Sequence, residues 1–190
     1  MHPLTDSKKN LEGNPSLSPS YLIGVAQRVF TITITLMFFL CACAEKNHLS
    51  NACTSVEEIG RKVLEAVAQN DLERLEAMVI TEEEYRKFIW PQSPVSKIEK
   101  WQEHYDFVWN QQDSRSRHSL RSMLSRYGGK TYQLVSVRFD DETTNHNTYK
   151  AHRDARLIVI KSDGTEVELN LFGSIVEMNG QYKIMSFYTD

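Results

Sequence analysis

The sequence predicts an α+β domain, with amino-terminal helices packed on a curved four-stranded antiparallel sheet, carried behind a signal peptide. Three observations predict it. Between residues 55 and 127 apolar side chains recur at helical spacing, and after Gly128-Gly129 the period switches to that of strands. Four β-rich runs follow, and two of the spacers between them, Ser162-Asp163-Gly164 and Asn179-Gly180, are hairpin chemistry. Helices first and strands afterwards is the α+β order. Ahead of all this, Val29 to Ala42 carries no charge, Arg28 stands before it, and a small residue closes it. That is a charged n-region, an h-region shorter than the roughly twenty residues that cross a bilayer, and a cleavage point.

In chain order, residues 1–20 hold Pro3, Pro15 and Pro19 with turn residues Gly13-Asn14 and no apolar period, an unstructured extension. Val25-Ala26-Gln27-Arg28 reads as an ordinary signal start, so translation is expected to begin near Val25; peptides covering Leu11 to Tyr21 in cell extract would refute this. The period-two pattern Thr31 to Thr35 stops at Leu36, which argues against a strand there. A permanent transmembrane helix would have to reach back over Arg28. Residues 1–42 are thus the signal peptide with its extension, 43–53 a short polar tether, and 54–190 a single α+β domain.

Ser55 with Glu58 is a capping box opening a helix on Val56, Ile59, Val63, Leu64 and Val67, stopped at Gln69-Asn70. Asn70 with Glu73 opens a second, carrying Leu72, Leu75 and Met78. Thr81 with Glu84 opens a third, with Tyr85, Phe88 and Ile89 on its apolar side and Pro91 at its end. Ser96 with Glu99 caps the longest pattern: Ile98, Trp101, Tyr105, Val108 and Trp109, then a polar patch from Gln111 to Ser116, then Leu120, Met123, Leu124 and Tyr127. This is either one helix of about thirty residues or two separated near Asp113. The β-rich runs cover residues 132–139, 149–160, 166–176 and 182–188, and a meander joins them.

Composition excludes several functions. The chain holds 22 Lys and Arg against 25 Asp and Glu, so no nucleic-acid partner is expected. Cys41, Cys43 and Cys53 all precede the domain, leaving no disulfide pair inside it and Cys53 as an idle tether thiol outside the core. There is no phosphate loop, no Gly-x-Ser-x-Gly elbow and no Cys-His pair, and His146, Asn147 and His152 do not complete a metal ligand set, so neither cofactor nor metal is expected.

Leu40-Cys41-Ala42-Cys43 resembles the lipobox of bacterial lipoprotein precursors, with an aliphatic residue three positions before the cysteine and a small one just before it. The resemblance implies cleavage ahead of Cys43 and acylation of that residue, palmitate being among the usual chains, with the bilayer as partner; two or three chains anchor firmly where one is marginal. It implies an exported, lipid-anchored protein of the bacterial cell envelope. Ala44 is not the aspartate that retains many such proteins at the inner membrane, which points to an outer-membrane address.

The order of elements, ending in Gly180-Gln181-Tyr182-Lys183-Ile184, resembles the nuclear-transport-factor-2-like, or cystatin-like, cone. It departs from that pattern in lacking a strand pair between the early helices and the long one. Such cones hold a pocket between sheet and helices, which implies binding of a small apolar ligand or an envelope protein. Ketosteroid-isomerase-like and dehydratase-like relatives implement catalysis there without a cofactor, placing an acid or imidazole base opposite a donor. Residues suited to such a pocket are Trp101, Tyr105 and Trp109 on the long helix, with His104 beside them, and His152 and Asp154 alternating onto one strand face. The aromatic stripe has core packing as its alternative. Arg115, Arg117, His118, Arg121 and Arg126 form a basic run open to anionic headgroups, although helical spacing spreads it over more than one side, as on a solvated face. A structural assembly protein, homodimeric through a sheet face carrying Val135, Val137 and Phe139, is a third reading.

Overall fold

The computed structural model describes residues 48–188 and shows an α+β fold: helices first, then two antiparallel sheets. Residues 47–190 form a compact unit containing its own apolar clusters, and no described helix is long and apolar enough to cross a membrane. The signal peptide, its proposed start and the Cys43 lipobox lie outside the described residues.

Helix α1, Val56–Gln69, begins where Ser55 turns extended and its hydroxyl accepts the Glu58 N–H at 3.1 Å. Glu58 does not return the bond to Ser55; its carboxylate accepts the N–H and hydroxyl of Thr54 at 2.7 and 2.8 Å. Asn70 is the left-handed end of α1 rather than the start of the next helix, and Asp71 caps α2, Leu72–Ala77, by accepting from Arg74 N–H. The Thr81–Glu84 capping box forms in both directions at α3, Glu82–Glu84, which continues as a π-helical turn over Tyr85–Ile89 and a 3-10 turn over Trp90–Gln92.

The long pattern divides at Glu103-His104, well before Asp113. Ser96 sits in a 3-10 turn, α4 covers Glu99–Gln102, and α5 runs unbroken over Tyr105–Tyr127. The polar patch is therefore the middle of a continuous helix.

Strand β1, Tyr132–Phe139, falls where the sequence places it. The second run instead breaks at Asp154, whose φ of 54° turns the chain between β3, Lys150–His152, and β4, Ala155–Lys161. The third breaks likewise between β5, Glu166–Leu169, and β6, Ile175–Met178. With the two-residue β2, Thr144–Asn145, and β7, Gln181–Ile184, the sheets have the orders β1-β4-β5 and β2-β3-β6-β7. A single four-stranded sheet is thus replaced by two that share the two broken runs, with Ala155 N–H donating to Gly173 carbonyl across the corner at 2.9 Å. Both expected hairpins form, β4–β5 through Gly164 and β6–β7 through Asn179-Gly180.

The apolar residues gather in two clusters. In one, Ile59, Val63 and Val67 of α1 pack with Leu157 and Val159 of β4 and Leu120 and Met123 of α5. In the other, Leu49, Tyr85, Phe88, Tyr105, Tyr149 and Val176 close on one face of the second sheet. Cys53 is not on a loose tether: it is 3% exposed, in the first cluster, and exchanges backbone bonds of 2.9 and 2.8 Å with Tyr182. Ile80 and Met78 pair with Ile184 further along, so the outer edge of β7 is covered by chain from before and after α1 and α2. Among the described residues the packed fold reaches back to Leu49, which is fully buried.

Candidate functional site

Helix α5 positions most of the site. Residues 109, 113, 116, 117 and 120 share one stripe and 108, 111, 115, 118 and 119 the next, as a period of 3.6 requires. An open groove lies along each. The first, about 460 Å³, has Trp109, Asp113, Arg117 and Leu120 on α5 facing Glu76, Val79 and Glu82. The second, about 710 Å³, has Val108, Gln111, Arg115 and His118 facing Met185 and Phe187. Ser116 lines both. Its buried hydroxyl accepts the Phe187 N–H at 3.0 Å and so fastens the chain after β7 to the middle of the helix.

At the amino-terminal end of α5 the aromatic stripe meets the third helix. The Tyr85 ring lies 5.2 Å from Trp109 and 6.2 Å from Tyr105, and Trp90 stands edge-on to Tyr105 at 5.3 Å. Arg86 sits 3.9 Å over the Tyr105 ring, whose hydroxyl donates to the Glu82 carbonyl. Burial pushes the Tyr85 and Tyr105 phenols up, against the pull of Arg86 on Tyr105. Tyr105 is thus cluster packing, while Trp109, half-buried, has one side in that cluster and another on the first groove. Trp101 belongs to α4, across the break from both.

His152 and Asp154 are elsewhere. Ala151 pairs with Val176 on the face that holds Tyr105, so His152, one residue on, faces the opposite way. There its Nε2 lies 2.8 Å from Glu177 Oε2 and its Nδ1 2.9 Å from Thr143 Oγ1, with its ring stacked 5.1 Å from Phe139 and 6.3 Å from Tyr182. Burial of Glu177 opposes its ionisation, but Lys150 and His152 together hold its carboxyl below the usual range. Asp154, at the bend, pairs with Arg156 at 3.2 Å. The strand break removes it from any face shared with His152. Tyr105 and His152 therefore lie on opposite faces of the second sheet and do not confront one another, and Asp154 stands at the corner between the sheets.

Two polar features escaped sequence reasoning. Lys183 is 1% exposed and its ammonium lies 2.8 Å from Glu84 Oε2; Glu84 also accepts from Thr81 N–H, Ser50 N–H and the Ser50 hydroxyl. Burial opposes the charge on Glu84, yet the bonds from Lys183 and Thr81 prevail and keep its carboxyl below the ordinary value. The only signal available was a lysine alternating onto the covered side of the last strand. Ser116 likewise looked like one more member of a polar patch. Among the described residues no group of His, Cys, Asp and Glu could hold a metal ion.

The chain matches no family model, no curated protein and no solved structure. The geometry offers two open grooves beside one helix, the first mainly polar and the second mainly apolar in lining, of the size of small-ligand sites.

Proposed function

We propose that the chain is a bacterial envelope lipoprotein, held on the membrane by acyl chains on Cys43, whose domain is a cone-like binding module for a small ligand with apolar character. The observation that carries the binding half is the grooved middle of α5, where a polar stretch within a continuous helix keeps Val108 and Trp109 from being sealed into the core. The address rests on the charge, h-region and lipobox of residues 28–43. Ala44 supports the outer membrane.

A second reading, a cofactor-independent enzyme, has the line Thr143–His152–Glu177 in its favour, a hydroxyl, an imidazole and a carboxylate in hydrogen-bond sequence. No groove described here reaches it, and the same contacts equally clamp the strand corner.

Native mass spectrometry of the 47–190 unit purified without detergent tests the binding half. A retained small molecule is the expected result; an empty monomer in every host would count against it, and a dimer would favour the assembly reading. For the address, Cys43→Ala is expected to abolish both the acyl mass increment and membrane partitioning of the full chain. Persistence of both in that variant would overturn the lipoprotein assignment.

A further inference from the structure

The two grooves beside α5 differ in charge, and helical periodicity is the reason. Arg117, on the first, is neutralised by Asp113 at 2.9 Å and Glu76 at 3.0 Å. Arg115 turns to the other stripe, where it makes no ion pair among the described residues. His118 stands one turn further along, and among the described residues no carboxylate lines this second groove. The facing wall is mainly apolar, built from Met185, Ser186, the buried Phe187 and the exposed Tyr188, and Val108 is also in the lining. A polar wall whose one charged side chain is Arg115 thus faces a mainly apolar one. Within the basic run, neighbours thus pair Arg117, while Arg115 faces the second groove with no ion pair among the described residues.

We propose that the second groove binds a single-chain anionic amphiphile, with its carboxylate or phosphate head at Arg115 and its tail along Val108, Met185 and Phe187. This rests on reading the domain as a binding module and names the class of its ligand. A guanidinium presents a fork that pairs with either head in bidentate fashion. Exposed ion pairs alone contribute little, so the tail on the apolar wall must supply the rest. The stripe from Val108 to His118 is about 15 Å long at 1.5 Å per residue, and the groove volume falls within the range of small-ligand sites. A cationic or uncharged amphiphile meets the same wall without a partner for its head.

The test uses the 47–190 unit, which contains both apolar clusters, labelled with 13C at its methionine methyls. Met185 reports the groove, while the buried Met78, Met123 and Met178 report the fold. It is titrated with dodecanoate, dodecyl phosphate, dodecyltrimethylammonium and dodecyl maltoside, each below its micelle concentration. The two anions are expected to move Met185 saturably, their relative affinity telling carboxylate from phosphate, with the cation and the maltoside weaker by about tenfold or more. Arg115→Glu is expected to weaken both anions by a similar factor with the three buried methyls unmoved.

Silence of Met185 toward both anions, equal binding of the maltoside, or undiminished binding by Arg115→Glu would overturn the proposal. So would movement of Met185 that follows protein concentration without amphiphile, which would assign the groove to a second copy. If native mass spectrometry finds a ligand while Met185 stays silent, the binding-module reading stands and this assignment alone fails.

Discussion

Lys183 is a buried charge held by a buried partner. Its ammonium and the Glu84 carboxylate are both buried, and four donors converge on that carboxylate. Lys183→Met leaves the anion in place with its counter-charge removed, which is expected to cost about 3–5 kcal/mol in denaturant unfolding. Pairing it with Glu84→Leu should recover part of that loss. The pH dependence has a definite sign: because Glu84 is depressed in the fold, its contribution is present above the unfolded carboxylate pKa and is lost as pH falls through the lower folded value. An acid-unfolding profile of Lys183→Met is expected to lack that branch. Ser116 is buried and polar as well. Ser116→Ala orphans the buried Phe187 N–H, with an expected loss of about 1–3 kcal/mol and faster amide exchange after residue 184.

Among the elements, α1 fits its sheet because Gly60 lets it approach: a Cβ there would lie 2.9 Å from Leu134 Cδ2 and 3.2 Å from Val137 Cγ2. Gly60→Val should therefore push the helix off β1 and lower stability by about 1–3 kcal/mol, read by thermal unfolding. The β6–β7 turn has positive φ at both Asn179 and Gly180, and nothing crowds a Cβ at Gly180. Gly180→Ala is thus a pure backbone test, with an expected cost on the order of 1–2 kcal/mol and no change in neighbouring side chains. Legibility followed locality. Ser55, Thr81 and the two hairpin turns act on neighbours within a few residues, so their sequence signals held. The breaks at His104 and Asp154 carry no such local marker: neither glycine nor proline stands there, and only the packing of the flanking segments turns the chain.

For the whole molecule, two clusters share one helix. Tyr105 stands in one, Leu120 and Met123 in the other, and the polar middle between them is what opens the grooves. The candidate site was legible only in part for this reason. Trp109 and the basic run were visible as types of residue, but what they face depends on segments distant in sequence, 76–82 for Trp109 and 185–188 for Arg115. Cys53 was misjudged on the same ground: polar neighbours suggested a tether, whereas pairing with Tyr182 makes it the cover of a sheet edge. Burial raises its thiol pKa, so at neutral pH Cys53 in the folded 47–190 unit is expected to react with iodoacetamide far more slowly than in the unfolded one.

By itself the sequence determined the class and order of the elements, because periodicity and capping are properties of short stretches. It determined that helices precede strands, that two hairpins close through Gly164 and through Asn179-Gly180, and that the domain contains no disulfide. Only the tertiary structure decided that the broken runs divide into two sheets, that His152 and Tyr105 lie on opposite faces, and that Arg117 is paired with Asp113 and Glu76 while Arg115 faces the second groove. Each of those depends on contacts between residues far apart in the chain, and a one-residue change of face, invisible in composition, inverts what a side chain meets.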